Sequence, residues 1–132
     1  MRFDSRVEEQ FYLALESAGV QLSVHPKGLF GRPDFVDVES RVAVFVHGCH
    51  WHRHASCSTA RQSTSVSAEW VSRHNRQVER DEQVRKTLRK DGWGIAIVWE
   101  CSMKRDAETV ITSLKHHLHF RDADTASKVL VL

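Results

Sequence analysis

The chain has 132 residues, a net charge of +2 and three cysteines. That length suits one domain over residues 1–132 and leaves little room for two, and so mild a charge does not by itself announce a nucleic-acid partner. No apolar run reaches the roughly 18 residues of a membrane span, and the start, MRFDSRVEEQ, lacks a signal-peptide core, so a soluble, cytoplasmic protein without a membrane partner is expected.

Taken in chain order, Val7, Phe11, Ala14, Leu15 and Ala18 follow helical spacing and Gly19 stops the pattern, which predicts a helix over 7–18. Residues 20–24 alternate as a short strand, and His25 and Lys27 fall in a connecting loop marked by the breakers Pro26, Gly28, Gly31 and Pro33. Residues 34–38 read as a strand, turned by Glu39 and Ser40 into the run 41–47, whose unbroken apolar content suits a strand covered on both faces. This pair is expected at the centre of the sheet. After a polar stretch over 58–67, a long helix is predicted over 68–90, with a candidate break at 73–75, and Asp91 and Gly92 close it. Residues 93–99 form a third apolar strand that delivers Glu100 and Cys101 to its end, 108–119 reads as a last helix, and 120–132 has no firm assignment. These elements make an α/β sandwich with a small mixed sheet.

The segment 47–57 holds His47, His50, His52 and His54 together with Cys49, Cys57 and Trp51. Three cysteines are an odd number in a reducing compartment, which argues against disulfides and for metal binding. Cys49, His54 and Cys57 lie close in sequence, and Cys101, at the end of the third strand, can be brought beside them by a neighbouring strand. Together they make a Cys3His tetrahedron, and thiolates favour zinc over magnesium or calcium. With four protein ligands the ion is structural. The alternative is three small buried hydrophobes.

A second grouping is carboxylate and imidazole. Glu8 falls at the border of the first helix's apolar stripe, whereas Glu9 and Glu16 lie nearly opposite it. Asp34 opens the second strand, near His47 at the end of the adjacent strand and His52 in the following loop; such a group can hold a hard divalent cation and a base together. Periodicity by itself favours the plainer reading of Glu8 as helix surface and Asp34 as a turn residue. The basic run Arg73, Arg76, Arg80, Arg85, Lys86, Arg89 and Lys90, interleaved with acids, fits either a solvated helix face or one that tracks phosphates.

Arg32-Pro33-Asp34-Phe35-Val36, the run from Ala43 through His47-Gly48-Cys49-His50-Trp51-His52-Arg53-His54, Asn75 with Arg80-Asp81, and Asp91-Gly92-Trp93 with Val98-Trp99-Glu100-Cys101 resemble the very-short-patch repair (Vsr) endonucleases, in order from Arg6 to Cys101. The resemblance implies a restriction-endonuclease-like fold of the PD-(D/E)xK superfamily, a central mixed sheet flanked by helices with a structural zinc site. It implies a magnesium-dependent enzyme that nicks one strand of double-stranded DNA next to a T:G mismatch. By position, Asp34 resembles the family's metal-bridging aspartate and Glu8 the glutamate beside the metal. His52 resembles the general base, His47 a histidine near the scissile phosphate, and Val46 a metal contact made through its backbone carbonyl. Trp51, with His50 beside it, and Trp70 match positions that insert beside the mispair and stack on bases; Trp93 and Trp99 fit core packing instead.

Three departures accompany the match. The chain starts six residues before Val7, where the family carries a segment that grips the minor groove. His50 stands where the family has phenylalanine, which weakens the wedge, and Val46 stands where a threonine is known. Cutting chemistry is thereby better supported than mismatch preference. The alternatives are a Vsr-like nickase on matched duplex in a restriction or defence system, and a catalytically silent, zinc-clipped DNA-binding module. A monomer is expected, and a DNA cytosine methyltransferase or a mismatch-repair protein is a candidate partner.

Overall fold

The structure is a computed structural model that describes residues 5–49, 68–119 and 129–132, without the side chains of Trp70 and His74. The first helix, α1 (Arg6–Ser17), begins at Ser5, whose hydroxyl accepts the Glu8 N–H at 3.2 Å. A serine oxygen that accepts the third helical N–H is an N-cap. The helix ends where Gly19, at φ +73°, takes the left-handed turn that a side chain resists, and the Val20 N–H closes back on Leu15 at 2.9 Å.

Three strands follow: β1 (Ser23–Val24), β2 (Phe35–Asp37) and β3 (Val42–His47), paired antiparallel in that order. A 23-residue helix, α2 (Ala68–Lys90), leads to β4 (Gly94–Trp99), which lies parallel to β3. The helix α3 (Glu100–His119) and β5 (Val129–Val131), parallel to β4, complete the described elements. The sheet order is β1-β2-β3-β4-β5, so the centre is β3, and the expected central pair of residues 34–38 and 41–47 supplies that strand and its neighbour β2.

Period-two alternation builds two cores. Phe35, Val42, Val44, Ala96 and Val98 face α1 and α3, where they meet Phe11, Leu15, Val110 and Leu114. Val36, Ala43, Phe45, Ile95 and Ile97 face the other way onto Val84 and Leu88 of α2, with Trp93 and Trp99 packed at the edge. Both faces of β3 and β4 are therefore covered, as their unbroken apolar runs predict. The mixed sheet with helices on both faces fits the restriction-endonuclease-like architecture.

Three expectations change. The helix over 68–90 has no break at 73–75. Extended backbone at Asp106 divides the last helix into 100–105 and 107–119; the second piece is the helix expected over 108–119, and the first is an added helical segment whose first turn holds Glu100 and Cys101 directly after β4. Within the unassigned tail, Val129–Val131 adds the fifth strand by pairing with β4.

Gly31 fixes how α2 sits. Its φ is +81°, and a Cβ there would fall 2.3 Å from Val84 Cγ1. The loop before β2 touches α2 backbone against side chain, a spacing only glycine allows.

Candidate active site

Glu8 holds the third position of α1, where a capping-box glutamate would fold back onto Ser5. Its carboxylate instead bonds His25 Nε2, and the residue is only 3% exposed. The surface reading of Glu8 is thereby overturned: helix periodicity left it on the border, and the loop carrying His25 covers it. A carboxylate in the first turn also faces the positive end of the helix dipole.

Asp34 is the hinge between strands. Its N–H donates to Val44 O at 3.0 Å, its own carbonyl accepts the His25 N–H at 2.9 Å, and its Oδ2 accepts the Val46 N–H at 2.7 Å. His25 and Asp34 thus continue the β1–β2 register one step past Val24 and Phe35. Main-chain bonding on both sides holds the carboxylate at the sheet's rim. Candidate ligand atoms of Glu8, His25 and Asp34 all lie within 4.8 Å of one another.

Glu8 and Asp34 open onto a cavity of about 520 Å³ that is also lined by Arg32, Val46 and His47 and by Arg80, Asp81 and Arg85 of α2. His47 is buried, and its ring meets Trp99 edge to face at 5.1 Å. The basic run along α2 divides: Arg80 and Arg85 line the cavity, while Lys86 pairs with Glu82 at 3.3 Å on an exposed face. Three cationic side chains stand among three carboxylates, Glu8, Asp34 and Asp81, so a polyanion can approach groups able to hold a cation.

A second meeting point lies at the ends of β3 and β4. Cys49 is fully buried, and its sulfur accepts the Cys101 N–H at 3.3 Å. His54 and Cys57, the other two expected zinc ligands, lie outside the described residues, as do His50, Trp51 and His52; of Trp70 only the backbone in α2 is described. Among the described residues, the structure brings together Glu8, Asp34, Val46 and His47, and separately Cys49 and Cys101.

The sequence reading missed His25. It sits among breakers in a loop and carries no spacing signal; its one clue is its place directly after a predicted strand. Arg32, Arg80 and Arg85 carried signals of composition but not of direction.

The family profile described as DNA mismatch endonuclease Vsr matches residues 3–59, the stretch that carries Glu8, His25, Asp34 and His47. Type II nicking enzyme V.XorIIP of Xanthomonas oryzae pv. oryzae is 33% identical over 100 residues, covering 76% of this chain and 73% of that protein. The chain belongs to the Vsr family. DNA mismatch endonuclease Vsr of Escherichia coli (strain K12) is 35% identical over 101 residues, 76% of this chain and 64% of that protein. Type II nicking enzyme V.NaeI of Lentzea aerocolonigenes is 36% identical over 91 residues, 69% of this chain and 54% of the relative. The chain thus spans between 54% and 73% of the length of these Vsr relatives.

Proposed function

We propose that this Vsr-family chain is a metal-dependent DNA endonuclease that nicks one strand of double-stranded DNA next to a T:G mismatch, acting as one domain and as a monomer. The observation that carries the reading is the meeting of Glu8 and Asp34 in a cavity faced by Arg32, Arg80 and Arg85. Hydrolysis of a phosphodiester needs a deprotonated water and relief of the charge that builds on the phosphate. The oxygen donors present, two carboxylates and the Val46 carbonyl, suit a hard divalent cation such as magnesium. Bound there, such an ion supplies charge neutralisation and a more acidic water.

The chain's own groups have the remaining tasks. His52 takes the proton of the attacking water, and His47, buried beside Trp99 at the cavity wall, contacts the scissile phosphate. Arg32, Arg80 and Arg85 hold flanking phosphates. Trp51, with His50, and Trp70 stack on bases at the cut site. Cys49, His54, Cys57 and Cys101 hold a structural zinc that ties the segment carrying His52 to the start of α3, and the contact between Cys101 and Cys49 supports this ligand set.

A second reading draws on the names of two relatives, both type II nicking enzymes. It makes the chain a nickase on matched duplex within a restriction or defence system. Labelled duplexes bearing T:G, T:A or C:G at one position, in several sequence contexts, separate the two. Preferential cutting of T:G supports repair, and equal cutting of all three supports the second reading. No cutting in magnesium or manganese leaves a silent DNA-binding module.

A further inference from the structure

His25 is the one member of the three-residue cluster with no role in that chemistry. Its Nε2 bonds Glu8 Oε1, its N–H donates to the Asp34 carbonyl, and one candidate ligand atom from each of the three residues falls within 4.8 Å of the other two. Two donors on a single octahedral ion, each about 2.1 Å from it, stand about 3 Å apart when adjacent and about 4.2 Å apart when opposite. His25 Nε2 and Glu8 Oε1, now in direct contact, would part to that spacing around an ion, and the three residues are near enough to share one.

The geometry points to His25 as a nitrogen ligand of the cation site formed by Glu8 and Asp34, which makes that site a mixed nitrogen and oxygen centre preferring a first-row transition dication such as Mn2+ to Mg2+. The inference rests on the reading of Glu8 and Asp34 as a cation site. Magnesium takes oxygen donors and gives up its waters reluctantly, whereas imidazole is a favoured donor for transition dications. Backbone constraint supports the assignment. His25 is held at φ +46° by its bond to Asp34, so the imidazole is directed at Glu8 before any ion arrives, and little ordering remains for binding.

The test is pulsed electron paramagnetic resonance of the Mn2+-loaded protein, with Mn2+ and Mg2+ affinities measured by titration. Wild type is expected to show nitrogen modulation on the Mn2+ signal and to bind Mn2+ more tightly than Mg2+. His25→Gln should lose that modulation and weaken Mn2+ binding by about tenfold, with a much smaller change for Mg2+. Should the glutamine variant not fold, His25→Asn carries the same expectation. Nitrogen modulation that persists in the variant, or an equal loss for both metals, overturns the proposal and leaves His25 as a pin for Glu8. Asp34→Ala serves as the independent arm. If it still nicks DNA, the cation-site reading of the activity fails, while the spectrum alone decides the ligand.

Discussion

Cys101 donates its backbone N–H to the Cys49 sulfur at 3.3 Å, although the two residues lie 52 positions apart in sequence. The contact joins the residue that follows β3 by two positions to the first turn of α3. Cys101→Ser is therefore expected to lower bound zinc below about one equivalent per chain and to reduce the melting temperature, as loss of one of four ligands does at a structural site. Zinc content measured by mass spectrometry after dialysis checks this; a full equivalent in the variant would remove Cys101 from the ligand set.

Gly31→Ala should destabilise the fold by about 2–4 kcal/mol, because it combines a left-handed backbone with an overpacked contact. The new methyl would lie 2.3 Å from Val84 Cγ1, so α2 must move outward, and with it Arg80 and Arg85. Urea unfolding of Gly31→Ala, Val84→Ala and the double variant measures the coupling. The pair together should cost less than the sum of the two, since truncating Val84 relieves the clash. Simple additivity would contradict the close approach.

Asp106 predicts a pH effect remote from the site. The Thr109 hydroxyl and backbone N–H donate to its carboxylate at 2.6 and 3.1 Å and hold its pKa below the ordinary 3.8. A carboxylate whose pKa falls on folding binds fewer protons folded than unfolded. Its contribution is complete above the ordinary value and is lost as pH falls through the depressed one. Asp106→Asn keeps a capping oxygen without the charge, so its urea midpoint should trail wild type at neutral pH and the gap should close in acid. A gap constant across that range would show that the charge contributes nothing.

Much of the fold is legible in residues whose environment is uniform. The alternation of Val42, Val44 and Val46 with Ala43 and Phe45 needs only a two-sided core to explain it, and Gly19 and Gly92 punctuate helices by local backbone geometry. What escapes the sequence depends on partners distant along the chain. The short segment 100–105 shows too few turns to declare its period, and Asp106 interrupts the pattern before it can. Val129–Val131 is a strand because β4 offers an edge. At the site, Asp34 and Glu8 were visible as candidates, but burial of Glu8 is decided by the loop that brings His25 over it. A register one step beyond a two-residue strand carries no sequence signal.

If Asp34 and Glu8 form the cation site of a DNA-nicking enzyme, cutting must fail when either the carboxylate or the ion is removed. The most direct measurement is conversion of supercoiled to open-circular DNA by wild type and Asp34→Ala, on a plasmid carrying T:G mismatches in several contexts and on its matched counterpart, with magnesium or with chelator. Wild type should nick in magnesium and not in chelator. Asp34→Ala should retain its circular dichroism and unfolding midpoint while losing activity by about a hundredfold or more. Undiminished nicking by a folded Asp34→Ala protein, or nicking by wild type that is indifferent to chelator, would contradict the account.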